Sequence, residues 1–348
     1  MNKRQKITIQ DVAEMAAVSP MTVSRVLNNN GAVKEATRQR VQQAMRSLNY
    51  RPNLMARSLA GRSGLFIGLI YRNPSYGYLS EFLLGALSAC RRLGHNLIVE
   101  EPMLDRKMVD LEIIERRFLD TSIQALIVVP PLSDDPELID VLERLKMPYV
   151  CVSPRLNNYA GASVGMNEID AAREMTEYLL DLGHERIGFI KGPPDHRASE
   201  LRLTGYKQAL EARGRPFDAR VISEGDFTYV SGMRLTRKLL DAGSSPTAIF
   251  ASNDDMAIGA ITAVHQAGLR VPEDVSIVGF DDAAAASSTW PPLTTIRQPI
   301  REMASSAIEI LERVVNDTNS GGSVPPEKLR LPYKLVVRQS TAPPAKTD

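Results

Sequence analysis

From about Leu65 onward the chain alternates short runs of aliphatic and β-branched residues with longer amphipathic stretches, and this alternation restricts the possible fold more than any other feature. Eight runs read as strands: FIGLIY (66–71), NLIVE (96–100), ALIVV (125–129), YVCV (149–152), RIGFI (186–190), RVI (220–222), TAIF (247–250) and VSIVGF (275–280). Near-continuous apolar strands separated by helical segments suit a parallel sheet covered on both faces, because every crossover buries a helix against the sheet. Eight are too many for one small sheet. The composition break PRLNNYAG (154–161) suggests two similar lobes, so the expected class is α/β with parallel sheets.

The first 63 residues follow a different pattern. They hold eleven Lys and Arg against three acids, a net charge of +8, while the whole chain carries +1 and the remainder therefore −7. One sign so concentrated in a short segment is the footprint of a polyanion-binding module, whereas a merely solvated face would mix signs. Ile9, Val12, Ala13 and Ala16 fall at helical spacing behind Thr8 as N-cap, with Asp11 as a capping-box partner. Ser19 caps a second helix that carries Pro20 at its first position, where the missing N–H costs nothing. Its inward face is Val23, Val26 and Leu27; Met21, Arg25 and Asn28 face outward, with Pro20, Thr22 and Ser24 at the margins. A third helix over Lys34–Leu48 presents Val41, Ala44, Met45 and Leu48 to the same core. Two helices joined by a short turn, with a polar outer face on the second, make a helix-turn-helix that can enter a DNA major groove. The alternative is a small helical cap. Beyond it, Leu54–Ala60 can form a helix too short to be stable alone.

Other features narrow the class further. At 348 residues, 43% hydrophobic and 24% charged, the chain can bury cores for two or three domains. MNKRQKITIQ has no apolar segment after its basic residues, and no run approaches the ~18 apolar residues of a membrane span. A cytoplasmic location without membrane contact is expected. Cys90 and Cys151 lack metal or redox spacing and read as buried free thiols.

DVAEMAAVSPMTVSRVLNNN (11–30) followed by TRQRVQQAMRSLNYRPNLMARSLAGR resembles the DNA-binding head and hinge of the lac-repressor (LacI/GalR) family of bacterial regulators, and the resemblance runs through the whole chain. It implies that base-reading positions fall on Pro20, Met21 and Arg25, with Thr22 and Ser24 nearer phosphates. The caps Thr8 and Ser19 and the outward Asn28 complete the candidate contacts on the head. It further implies that paired hinge helices enter the minor groove, where Leu59 would wedge a base step open beside Asn53 and Ala56. Ala17 stands where the family usually has glycine, and Lys34 where a capping serine is common. For the body it implies a periplasmic-binding-protein-like pair of lobes. The borrowed boundaries are a head over 1–50, a hinge and linker over 51–63, a first lobe over 64–163 and 294–326, a second lobe over 164–293 and 327–340, and a disordered tail over 341–348. The helix Pro299–Asn316 would return to the first lobe.

Ligands of open parallel sheets bind beyond the carboxyl ends of the strands. Those ends carry Tyr71, Arg72, Asn73 and Tyr76 after the first strand, Ser153 after the fourth, Asn253 and Asp254 after the seventh, and Asp281 and Asp282 after the eighth. The family's effector positions fall on Ser153, Asn253 and Asp281, together with Arg202 and Phe227. Charge-assisted bonds from Arg202 and Asp281 suit hydroxyls, and Phe227 offers a ring face to a sugar. Asn253 and Asp281 could equally serve turns and helix caps.

No catalytic constellation accompanies these residues. GASVG (161–165) fits G-x-S-x-G but lacks the strand and following helix of a nucleophile elbow, and reads as a strand at the lobe crossover. The four histidines lack metal-ligand spacing, no phosphate loop follows a strand, and neither cofactor nor metal is expected. The acid pairs Asp134–Asp135, Asp254–Asp255 and Asp281–Asp282 read as carboxylates at helix starts or turns. A secreted sugar-binding protein would explain the body alone, and an α/β enzyme fused to a DNA-binding head would lack its chemistry. A ligand-responsive DNA-binding repressor explains head, hinge and body together, and the resemblance implies control of carbohydrate use by a sugar or sugar derivative, with Arg72 and Arg197 leaving room for an acidic one. It is expected to be a homodimer on a near-palindromic operator, since a two-turn hinge helix needs a partner and Pro343 and Pro344 forbid a C-terminal tetramerisation helix.

Overall fold

Thr8 opens the head with the expected capping box. Its hydroxyl oxygen accepts from the Asp11 N–H, and the Asp11 carboxylate accepts from the Thr8 N–H at 2.6 Å. The computed structural model describes residues 8–27, 33–48, 50, 64–73, 75–100, 123–154, 161–241, 246–319 and 325–345. Helix α1 (Ile9–Met15) leads to α2 (Pro20–Leu27), where Ser19 Oγ accepts the Thr22 N–H at 3.2 Å. Between them Ala17 adopts φ 51°, the left-handed conformation that glycine takes freely and alanine at a cost of about 1 kcal/mol or more. Helix α3 (Glu35–Ser47) closes over both, and Lys34 at its N-cap makes no side-chain capping bond. Val12, Ala13, Ala16, Val23, Val26, Val41 and Ala44 form the small buried core. This head belongs to one compact unit ending at Leu65, and the body from Phe66 forms a second.

The body holds two six-stranded sheets, each followed in its own order. In the first, β1 (Phe66–Ile70), β2 (Asn96–Glu100), β3 (Ala125–Val128), β4 (Tyr149–Val152) and β5 (Ser163–Gly165) are all parallel, with β11 (Lys328–Arg330) added beside β5. The order is β11-β5-β4-β3-β1-β2. Helices α4 (Tyr76–Leu93), α5 (Pro136–Arg144) and α11 (Ile300–Asn319) accompany it. Gly85 lets α4 meet α11, because a Cβ there would lie 2.6 Å from the Arg301 carbonyl oxygen. The second sheet, ordered β12-β10-β9-β8-β6-β7, contains β6 (Ile187–Lys191), β7 (Ile222–Glu224), β8 (Ala248–Ala251), β9 (Ser276–Asp281) and β10 (Thr294–Arg297), with β12 (Lys334–Val336) antiparallel at its edge. Four helices line it: α6 (Glu168–Asp181), α7 (Arg197–Ala212), α8 (Tyr229–Asp241) and α9 (Asp254–Gln266), followed by the short α10 (Ala284–Ser288). Buried Phe189, Tyr206, Phe250 and Phe280 fill one side of it.

The strands place the crossings after Gly165, Arg297 and Arg330, not at the borrowed boundaries 163, 293 and 326. The borrowed boundary gives Thr294 onward to the first lobe, yet Thr294, Thr295 and Ile296 are buried and pair with Val278–Phe280, so the second sheet continues to Arg297 before the chain returns to the first lobe. RVI is displaced as well: Ala219–Val221 form a turn of 3-10 helix, and the strand runs over Ile222–Glu224. GASVG supplies the crossover strand β5. The expected tail is corrected at its start, since Thr341 and Ala342 are bonded into the second lobe, the Thr341 hydroxyl lying 2.7 Å from that of Tyr178 and His184 Nε2 2.9 Å from the Ala342 oxygen; just before them Ser340 Oγ accepts from Thr294 N–H and donates to the Ile277 carbonyl, and 346–348 lie outside the described residues.

Candidate functional sites

On the head, the outer face of α2 is set by its caps and core. Burial of Val23 and Val26 turns Pro20, Met21 and Arg25 outward, with Met21 65% exposed, while Thr22 and Ser24 are half-buried. Arg25 reaches back along the helix to Met21, Nη2 to Sδ 3.8 Å. The caps Thr8 and Ser19 are exposed. Asn28, Asn53, Ala56 and Leu59 lie outside the described residues, as does the side chain of Leu27. A solvent-facing row of a cation, a thioether and hydroxyls can meet base edges and phosphates, and it contributes nothing to a core.

In the body, the carboxyl ends of the two sheets bound a narrow, solvent-connected cleft. Six sequence-derived candidates meet there: Asn73 and Ser153 from the first lobe, and Arg202, Phe227, Asn253 and Asp281 from the second. Three of them hold left-handed backbone, Ser153 at φ 48°, Phe227 at 64° and Asp281 at 135°. Such conformations cost of order 1–3 kcal/mol each and persist where the surroundings impose them, often at ligand sites. The other three candidates sit apart. Tyr76 is 84% exposed, Arg72 spans the lobes in a 2.9 Å ion pair with Asp195, and Tyr71 does not line the cleft.

The second-lobe groups are held by internal bonds. Arg202 Nε donates to Glu168 Oε2 at 2.8 Å, Nη1 donates to the Ser252 carbonyl, and the guanidinium lies 3.7 Å from the Phe280 ring centroid. Both charged partners are buried, and two of the guanidinium's five N–H donors are spent on the fold. Asn253 caps α9 through the Met256 N–H and donates to the Phe227 carbonyl, which makes it a helix cap as well as a cleft residue. Asp281 accepts from Gln298 Nε2 at 2.5 Å. Burial pushes the Asp281 carboxyl well above the usual range, with Arg202 opposing the rise. His196 stands edge-on to Phe227, ring centroids 5.2 Å apart, and burial lowers its pKa to about 4 while Asp195 opposes the fall.

Arg197, which with Arg72 leaves room for an acidic effector, lines the cleft, and so do residues that the sequence did not mark: Ser75, Tyr78, Glu168, His196 and Gln298. The strand-end rule points to His196, because it follows β6 in the loop GPPDH. Gln298 lies at the second lobe crossing, which no local pattern marks. Asp254 and Asp255 are more than helix-start carboxylates. Asp254 accepts from the Ala283 N–H and the Thr295 hydroxyl and is raised to about 7 by burial, while Asp255 binds Ser75 across the cleft mouth. Among the described residues, no group of His, Cys, Asp and Glu is placed to hold a metal ion, and no helix is long and apolar enough to cross a membrane.

Residues 8–53 match the family model for bacterial regulatory proteins of the lacI family, and residues 176–341 match that of a periplasmic binding protein-like domain. The HTH-type transcriptional regulator AscG of Escherichia coli is 35% identical over 97% of this chain and 99% of its own length. The lactose operon repressor of the same bacterium is 33% identical over 97% of this chain and 91% of its own. Among solved structures, the lac repressor dimer bound to operator and the anti-inducer ONPF matches with a TM-score of 0.83 at 32% identity, covering 97% of this chain and 100% of that one. The CelR–cellobiose complex matches at 0.71 and 31%, covering 96% and 99%. Head, two-lobed body and full-length similarity agree, and the chain belongs to the lacI family of bacterial transcriptional regulators.

Proposed function

We propose that this regulator binds a near-palindromic operator as a homodimer in the cytoplasm, and that a sugar-like effector in the interlobe cleft sets its affinity for DNA. The observation that carries the reading is the cleft itself, where six polar, aromatic or charged candidates from distant parts of the sequence converge at the strand ends. Two structural neighbours support it: one is a regulator in complex with cellobiose, the other the lac repressor dimer bound to operator. The linker and hinge over 51–63 would join head to body, with the lobes divided at the three crossings. Effector control follows from linkage, because a ligand shifts operator affinity only by its differential affinity for two lobe arrangements. A sugar acid is the second reading, favoured by Arg197, which lines the cleft and makes no ion pair among the described residues.

Thermal-shift screening of the full chain with cellobiose, lactose and their acid derivatives tests the cleft, and salt-dependent binding of a palindromic duplex tests the head. A sugar that raises the melting temperature and changes duplex affinity without being turned over is the expected result. On the head, Arg25→Ala should weaken operator binding more than binding to random DNA, whereas Thr22→Ala should lower both evenly. Equal losses for Arg25→Ala would remove it from the base-reading set.

A further inference from the structure

Three consecutive residues at the start of α9 point in three directions. Asn253 lines the cleft, Asp254 turns inward to Thr295 and the Ala283 N–H, and Asp255 faces the other lobe. Its carboxylate accepts the Ser75 hydroxyl at 3.0 Å and the backbone N–H of Gly77, both at the N-terminus of α4 in the first lobe. There is little space between the lobes here: a Cβ on Gly77 would lie 2.9 Å from the Ala283 side chain. Ser75 in turn donates its N–H to Asn73 Oδ1 at 2.9 Å, and both Asn73 and Ser75 line the cleft. A carboxylate set against a helix N-terminus gains from the helix dipole as well as from its two donors.

We propose that Asp255, which does not line the cleft, is a positioning residue that clasps Ser75 and Gly77 at the start of α4 to the second lobe and thereby sets effector affinity. The inference rests on the cleft being the effector site. The route is physical and short: Asp255 fixes Ser75, Ser75 fixes Asn73, and Asn73 forms part of the ligand-facing wall. The other cross-lobe link, Arg72–Asp195, is more exposed and screened by solvent, so it is the weaker of the two and a fit control.

The test uses the full chain as parent, Asp255→Ala, Ser75→Ala and the double variant. Amide hydrogen exchange without sugar reads the clasp directly. Exchange at Gly77, whose N–H Asp255 accepts directly, should quicken about tenfold in Asp255→Ala and less in Ser75→Ala, which leaves that bond standing, while Tyr78 loses its own acceptor, Ser75 Oγ, in Ser75→Ala. Amides within α9 should stay within about twofold. Unchanged exchange at Gly77 overturns the proposal, and so does an equal rise along α9, which would mean that Asp255 only stabilises its own helix. Calorimetric titration with cellobiose should then show about a tenfold loss of affinity in either single variant, the same loss in the double, and partial recovery in Asp255→Asn, which keeps one acceptor oxygen. Equal affinity in parent and variants overturns the proposal. Failure of cellobiose to bind the parent overturns the choice of sugar, and the exchange result still decides the clasp.

Discussion

On the second-lobe side of the cleft, Arg202, Asn253 and Asp281 are each bonded to a residue from another segment, Glu168, Phe227 and Gln298 respectively. On the first-lobe side, Asn73 and Ser75 bond to each other, Ser75 caps its own helix through the Tyr78 N–H, and Ser75 is tied to another segment through Asp255 across the gap. The difference teaches how two lobes of similar architecture divide the work of recognition. Groups that orient a ligand lose least on binding when neighbours have already fixed them, and the second lobe supplies that preorganisation. The first lobe brings a lighter wall whose position depends on the other side.

The comparison breaks or sharpens first on the buried ion pair. Arg202→Met leaves Glu168 buried without its partner and should destabilise the body by about 3–5 kcal/mol. Removing the exposed first-lobe pair with Arg92→Met should cost less than about 1 kcal/mol. Urea unfolding of the two full-length variants measures both, and similar losses would erase the contrast.

Next in size is the functional coupling. Asp281→Ala should abolish the sugar's effect on operator binding, a coupling of about 1–3 kcal/mol, while ligand-free operator affinity stays within about threefold. Fluorescence anisotropy with labelled operator reads both quantities. A folded variant that answers the sugar with an unchanged midpoint would put the site elsewhere.

A pH titration examines the same side of the cleft. His196 titrates near 4 when folded and about 6.5 when unfolded, so the unfolded chain takes up the proton first. Its contribution is complete above about 6.5 and is lost as pH falls toward 4, by up to about 1.4 kcal/mol per pH unit. Asp254 and Asp281 shift upward and act in the opposite direction, so the quantity to read is the difference between parent and His196→Gln in denaturation at pH 7, 6 and 5. A difference independent of pH would refute the assignment.

The smallest effect is Ser153→Gly. Relief of the left-handed backbone should raise stability by about 0.5–1 kcal/mol, and loss of the hydroxyl should weaken sugar binding. A calorimetric melting temperature that falls would show the conformation to be unstrained.

What the sequence discloses depends on how far apart the interacting residues lie. The head is readable because caps, turn and core fall within forty residues: Ser19, Pro20, Val23 and Val26 announce α2 by themselves. The eight body strands announce themselves by β-branched runs, with RVI misplaced by a turn of 3-10 helix. β10, β11 and β12 are short and carry Thr, Lys or Arg, so only their pairing partners make them strands. In the cleft, strand ends point to Asn73, Ser153, Asn253 and Asp281, while Gln298 and Glu168 come into place only through the lobe crossings.

The strap over Ser340–Ala342 bears on how the polypeptide is made. Ser340 supplies the acceptor for the buried Thr294 N–H, and its backbone carbonyl takes the Ile277 N–H. Until those last residues leave the ribosome, the edge of the second sheet keeps open donors and an unsealed apolar flank, whereas β1 to β4 are contiguous in synthesis and can pair much earlier. Synthesis thus finishes the second lobe last, and a nascent chain cut short before Ser340 presents an unfinished sheet edge to proteases and chaperones.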